Sequence, residues 1–158
     1  MNRKEKAMNN FLEGYTCAQS LVLAFADLLD VDEKQLMKLC SSFGGGISRL
    51  REVCGAESGT AMVLGLFYGF DGPDTGEVKN AHYARVQECA LAFEEVYGTI
   101  VCRELLGLTV KHDIPVAEAR TGEYYKKRPC KEFIGCAAEI LEKYIEAHPV
   151  SKQEEGSL

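Results

Sequence analysis

The chain has 158 residues, 46% of them hydrophobic, and a formal net charge of −6. That length suits one domain whose apolar material can form a continuous core without disulfide or metal staples. The acidic balance argues against a nucleic-acid partner, and the one basic run, Lys126-Lys127-Arg128, is too short to make a polyanion-binding surface.

The chain opens on the polar run MNRKEKAMNN, and Ala7, Met8, Phe11 and Leu12 recur at helical spacing, which predicts a helix over 3–13 that Gly14 interrupts. Thr16 with Gln19 three residues on is a capping-box pattern. It starts a second helix at Cys17, running to about Leu29 on a stripe of Leu21, Phe25, Leu28 and Leu29. Asp32 with Gln35 repeats the cap and predicts a short helix from Glu33 to Ser42 that buries Leu36, Leu39 and Cys40 until Gly44 to Gly46 stop it. The next helix runs from Cys54 or Gly55 to Phe67 or Tyr68 and ends before a DGPDTG turn at Asp71 to Gly76. Gly55, Gly59 and the small residues between them leave one face of it nearly bare, so another helix, within the chain or from a partner, or a ligand must approach closely.

From Glu77 to Tyr97 the period is again helical, with Val78, His82, Val86, Cys89, Ala90, Phe93 and Val96 as the inner face and Gly98 as the stop. A short helix from Thr99 to Leu106, closed by Gly107, carries Cys102. Residues 108–128 have no clear period, and Ile114-Pro115 and Thr121-Gly122 mark a loop. Pro129 suits the first turn of a last helix, where its missing N–H costs nothing, and Cys130 follows it. That helix buries Phe133, Ile134, Ala137, Ile140, Leu141 and Tyr144 and ends at His148-Pro149. No alternating strand pattern competes. The expected fold is all-α, a single-domain bundle of about six helices over 1–148 with a polar C-terminal tail over 149–158.

No secretory segment or apolar run of about 20 residues can be drawn, so a cytoplasmic, membrane-free protein is expected. Standing disulfides are rare in a reducing cytosol, and an odd total of seven cysteines argues further against a fully paired framework. No C-x-x-C occurs, so any sulfur site must be assembled from distant segments. Cys17, Cys54, Cys102 and Cys130 all fall where helices begin. Helix N–H groups favour a thiolate there, and a nearby arginine adds to the effect, lowering a thiol from about 8.5 to as little as ~3.5 in strong cases. Arg49, Arg51, Arg103 and Arg128 lie close in sequence to three of the four. These four cysteines are therefore the candidate catalytic set. Cys54 is its expected centre, because Gly55 and Ala56 leave room for a partner sulfur. Cys40, Cys89 and Cys136 lie within helices on or beside apolar stripes and read as small hydrophobes.

The stretch FGGGISRLREVCGAESG permits strained backbone whose N–H groups can line an anion or cluster, and it reads equally as a helix stop and turn. It lacks the ending of a phosphate-binding loop. The histidines His82, His112 and His148 have no metal-ligand spacing; His82 reads as a core residue and His112, in the irregular loop, as the better functional candidate.

The order of these segments resembles the C_GCAxxG_C_C family, small α-helical proteins with four characteristic cysteines and a redox label. Cys17 in TCAQSLVLAF stands for its first cysteine, FGGG for its glycine stretch, Cys54, Gly55, Ala56 and Gly59 in CGAESG for its central motif, and Cys102 in CRELLG and Cys130 in RPCKEF for its last two. The central motif here reads Cys-Gly-Ala where the family's name spells Gly-Cys-Ala. The resemblance spans about Tyr15 to Leu141 and implies redox activity at these four cysteines.

Three functions compete. One is thiol/disulfide or electron transfer, with an unidentified redox partner or small molecule. Another is an iron-sulfur or zinc site with the same four cysteines as ligands. The third is a non-catalytic helical interaction module whose bare glycine face serves a partner helix or a homodimer. The sequence names no cofactor.

Overall fold

A computed structural model describes residues 1–73 and 76–150. Asp74 and Thr75 of the expected turn, and residues 151–158 of the expected tail, lie outside the described residues. The rest forms eight right-handed α-helices: α1 (Arg3–Leu12), α2 (Cys17–Phe25), α3 (Glu33–Ser41), α4 (Gly55–Tyr68), α5 (Glu77–Tyr97), α6 (Cys102–Leu105), α7 (Gly122–Lys127) and α8 (Cys130–Ala147). The all-α class therefore holds, but with eight helices among the described residues in place of the expected six or so, because a helix as brief as α7 shows no period. Among the described residues no helix is long and apolar enough to cross a membrane.

The caps act as their residue types dictate. Thr16 accepts from the Gln19 backbone N–H while the Gln19 side chain accepts from the Thr16 N–H, a complete capping box in front of Cys17. Asp32 caps α3 through the Gln35 N–H, and Gly98, at φ 82°, closes α5 in the left-handed region that glycine enters freely. α2 shortens to a 3-10 turn at Ala26–Leu28, three residues before its expected end near Leu29. α7 lies in the stretch expected to be an irregular loop. Its Thr121 side chain accepts from the Tyr124 N–H, with Glu123 in the first turn and Lys126 and Lys127 in the last. It is too short to show a period, and capping and end charges are its only sequence signals.

α2 is the hub, packed against α1, α3, α4 and α8; α4, α5 and α8 close the far side. Leu21, Phe25, Leu36, Val63, Leu64, Phe93, Ile134, Ala137, Leu141 and Tyr144 are buried in the common core. Leu12, Leu39, Val78 and Val96 are exposed instead of inward-facing, because α1, α3 and α5 bury narrower stripes than their apolar patterns suggest, and Leu28 is exposed because it ends the 3-10 turn after α2. The bare face of α4 is filled within the chain. A Cβ on Gly59 would stand 3.1 Å from the Ala18 carbonyl, and one on Gly55 2.8 Å from the Cys17 Cβ. That face is thus spent on α2 and leaves no room for a partner helix or a homodimer there.

Between α3 and α4 the chain does something unusual. Gly45, Gly46, Ile47, Ser48 and Arg49 follow one another at φ 66°, 67°, 63°, 48° and 70°, and Arg51 adds φ 59°. A left-handed turn costs about 1–2 kcal/mol for each residue with a Cβ, and a β-branched isoleucine is a clear outlier there. Backbone bonds hold it: Arg51 N–H donates to the Gly45 carbonyl at 3.2 Å and Glu52 N–H to the Gly46 carbonyl at 3.0 Å. Immediately after it, Val53 and Val101 form an isolated antiparallel bridge. Cys54 N–H donates to the Ile100 carbonyl at 2.8 Å and Cys102 N–H to the Glu52 carbonyl at 2.6 Å, so the bridge ties the starts of α4 and α6 together.

Candidate functional site

Each of the four candidate cysteines stands at a helix start: Cys17 first in α2, Cys54 as the residue before α4, Cys102 first in α6 and Cys130 first in α8. α6 begins at Cys102, with Val101 before it, and the Thr99 hydroxyl instead binds the Glu104 carboxylate and accepts from the Val101 N–H. The four starts converge. Cys17, Cys54, Cys102 and Cys130 line a single cavity of about 170 Å³, together with Gly44, Gly45 and Gly46 of the left-handed turn. All seven cysteines are free thiols.

Glycine is what lets the sulfur-bearing segments meet. A Cβ on Gly55 would also lie 2.9 Å from the Phe43 carbonyl, and one on Gly46 would lie 2.7 Å from the Cys102 Cβ. A Cβ on Gly44 would lie 2.6 Å from the Thr16 Cβ, against the cap of α2. The space expected after Cys54 therefore exists, and Cys17 fills it.

The four thiols differ in electrostatics. Hydrogen bonding with Cys130 pulls Cys17 below the ordinary thiol value, and the Arg120 charge and the backbone N–H groups of Gly45 and Cys17 outweigh its desolvation with it. Cys130 is driven in the opposite sense, well upward, by that same hydrogen bond and by burial. The two thiols are thus driven apart, and the proton is held more tightly on Cys130 than on Cys17. Burial pushes Cys54 up, and the neighbouring Cys17 charge adds to it, against the Ala56 N–H. Burial also raises Cys102, opposed by Arg51, whose Nη1 lies 3.8 Å from the Cys102 Sγ.

Four arginines line the cavity: Arg49, Arg51, Arg120 and Arg128, against one carboxylate, Glu118. Arg49 pairs with Asp113 at 3.1 Å and donates from Nε to the Ile114 carbonyl at 2.8 Å, which pins the 108–121 loop over the site. Arg128 is held by Glu118 at 2.7 Å. Arg103 turns away to Glu52 and the Arg51 carbonyl. Arg120 was not singled out from the sequence. It sits in the loop without periodicity, and only the fold shows its guanidinium 4.4 Å from the Phe11 ring centre and 4.8 Å from that of Tyr124.

The other expected residues lie elsewhere. Cys40 and Cys89 are buried, pushed up by desolvation to about 11 and about 12. Cys136 is half-buried and also raised by burial. His112 is exposed and lines neither cavity. His82 packs edge-on against Phe70, half-buried, and its Nδ1 has no partner among the described residues, so it is not the satisfied core histidine the helical period suggested. Among the described residues, no three His, Cys, Asp or Glu side chains are grouped so as to hold a metal ion.

A second cavity, of about 470 Å³, opens on the other side of the first turn of α4. Phe43, Ile47, Val53, Met62 and Ile100 make it apolar, and Glu57 enters it as a buried carboxyl whose pKa desolvation raises to about 8.

No curated protein and no solved structure matches the chain. The sequence profile described as "Putative redox-active protein (C_GCAxxG_C_C)" matches residues 15–144, a span that holds all four cavity cysteines and the left-handed turn. The chain therefore belongs to the C_GCAxxG_C_C family.

Proposed function

We propose that the protein is a thiol/disulfide oxidoreductase in which Cys17 attacks and Cys130 resolves. The observation that carries this is that Cys17 and Cys130 each stand first in a helix and line the same cavity, with Cys17 lowered and Cys130 raised by their mutual interaction. An attacking thiol needs thiolate character at ambient pH, and a resolving thiol must reach the mixed disulfide. Here the attacker's stabilisers are the Cys130 thiol, then Arg120, the Gly45 N–H and the start of α2. The Cys17 thiolate attacks a disulfide sulfur, the substrate S–S bond breaks, and the leaving thiolate takes the Cys130 proton. Cys130, now a thiolate, attacks the Cys17 sulfur and expels the second half of the substrate. Two electrons pass from the cysteine pair to the substrate, and a dithiol reductant restores the pair. Cys54 and Cys102, raised by burial, flank the exchange as a reserve pair on the Val53–Val101 bridge.

Alkylation at graded pH with peptide mapping tests the assignment. Cys17 is expected to react first, at a rate that stays level as pH falls below the ordinary thiol range, and oxidation by a small disulfide is expected to yield a Cys17–Cys130 crosslink. Uniform, slow labelling of all seven thiols would overturn it. The second reading, a bound metal or iron-sulfur cluster, has the four cysteines on one cavity in its favour and, against it, that no three of them are grouped closely enough among the described residues to hold an ion. Metal content and the visible spectrum of anaerobically purified protein decide it, and metal-free protein with four titratable cavity thiols counts against it.

A further inference from the structure

The thiol pair accounts for the sulfur in the cavity but not for its arginines. Arg49 and Arg128 are engaged by Asp113 and Glu118. Arg51 and Arg120 are not fully used. Arg51 is 5% exposed, donates from Nη2 to Asp113 at 3.0 Å and from Nη1 toward Cys102, and its Nε has no acceptor among the described residues. Arg120 forms no ion pair among the described residues; its Nη2 reaches the Tyr15 carbonyl at 3.4 Å and its Nη1 is buried without a partner. Its guanidinium face is occupied by the Phe11 and Tyr124 rings, which leaves its N–H edge for an in-plane acceptor. A buried, unmatched donor on a charged group is costly, and an anionic oxygen is the acceptor that relieves it most.

We propose that this cavity selects a small disulfide carrying a carboxylate, which Arg51 and Arg120 hold while Cys17 attacks its sulfur. The proposal rests on the thiol/disulfide reading above and names the substrate class for it. The planar guanidinium fork matches a carboxylate in two-point geometry. Size limits the rest: about 170 Å³ lies below the roughly 300–1,000 Å³ of sites for drug-sized ligands. A nucleotide or a folded protein's disulfide loop does not fit such a space. The electron balance is that of the exchange above. One substrate disulfide becomes two carboxylate-bearing thiols, and the Cys17–Cys130 dithiol becomes a disulfide that an external dithiol reduces.

Iodoacetate and iodoacetamide, nearly equal in size and differing in charge, probe the reduced full-length protein. The measured quantity is the ratio of their rates at Cys17, referred to the same ratio for N-acetylcysteine. A ratio raised about tenfold or more, the yield of one charge-assisted contact, is expected, and it should fall back in Arg120→Gln. Arg120→Lys, which keeps the charge over Phe11, should lose only part of it. If Arg120 merely tunes the Cys17 thiolate, both reagents slow together and the ratio stays, which overturns the carboxylate site alone. If Cys17 reacts sluggishly with both reagents in the unsubstituted protein, the thiol reading fails and the substrate assignment falls with it. A second arm compares crosslinking by dithiodiglycolate, bis(2-hydroxyethyl) disulfide and cystamine. The anionic disulfide should be fastest and the cationic one slowest, and a flat or reversed order refutes the proposal.

Discussion

The first turn of α4 separates two cavities with opposite electrostatics. On one side Cys54 and Gly55 face a space lined by four cysteines and four arginines; on the other Glu57, Ser58 and Met62 face an apolar one. Burial acts on both. On the apolar side nothing opposes it, so Glu57 rises to about 8 and nearby Cys89 to about 12. On the cysteine side desolvation meets the Cys130 thiol first, then the Arg120 charge, the Gly45 N–H of the left-handed turn and the start of α2, and Cys17 goes down. Burial alone thus does not make a thiol inert or reactive. Which fixed donors and charges share its cavity decides the direction.

The sharpest way to break the contrast is to delete a thiol on each side. Cys17→Ser should remove the fast-alkylating thiol entirely, a loss of about a hundredfold or more in the fastest observed rate, because burial raises Cys54 and Cys102, and Cys130, though freed of its interaction with the Cys17 thiol, keeps its own desolvation. Cys89→Ala should leave that rate within about twofold and cost on the order of 1 kcal/mol of stability. Stopped-flow alkylation and denaturant unfolding read both. A fast phase that survives Cys17→Ser and disappears with Cys89→Ala would reverse the assignment of the two sides.

The same contrast separates what the sequence could say from what it could not. The helix-start positions of Cys17 and Cys130 were legible, because Thr16-Gln19 and Pro129 are local signals that act within one turn. The inward residues of α8 were legible too, since that helix lies against the hub with a strong apolar stripe. Arg120 and the opposite shifts of Cys17 and Cys130 were not. They depend on contacts across more than a hundred residues and on a backbone turn that no periodicity encodes. Ile47 in the left-handed region could not be foreseen from propensity, because the surrounding hydrogen bonds impose it. Leu39 and Val96 misled for the converse reason: an apolar residue on a peripheral helix need not be buried.

Two glycines of α4 carry the comparison into packing. Gly55, between the cavities, has the Cys17 Cβ 2.8 Å and the Phe43 carbonyl 2.9 Å from where its own Cβ would stand, whereas Gly65 has nothing within 4 Å. Gly55→Ala should therefore push α2 and α4 apart at the cysteines and destabilise by about 1–3 kcal/mol, with slower Cys17 labelling as the Gly45 N–H loses its aim. Gly65→Ala should stabilise by about 0.5–1 kcal/mol, as helix propensity predicts for an unobstructed interior site. Urea midpoints at constant slope check both. Equal effects of the two substitutions would show that the close crossing at Gly55 is not what sets the site's geometry.

The apolar side makes its own, smaller prediction through Glu57. It stands in the first turn of α4, where a carboxylate is ordinarily favoured, yet desolvation raises it from 4.5 to about 8. Between those two values the unfolded chain has lost the Glu57 proton while the folded protein keeps it, so the folded state binds more protons and stability falls as pH rises. The contribution is complete below about pH 4.5, declines by up to about 1.4 kcal/mol per pH unit, and is spent above about pH 8. Glu57→Gln keeps the shape and removes the titration. Its stability relative to the unsubstituted protein should therefore climb across that window and level off above it, read as the difference between urea midpoints from pH 5 to 9. A difference that does not change with pH would mean that the Glu57 carboxyl has found a compensating donor. The apolar cavity would then differ from the cysteine cavity in its residues but not in how it treats a buried charge.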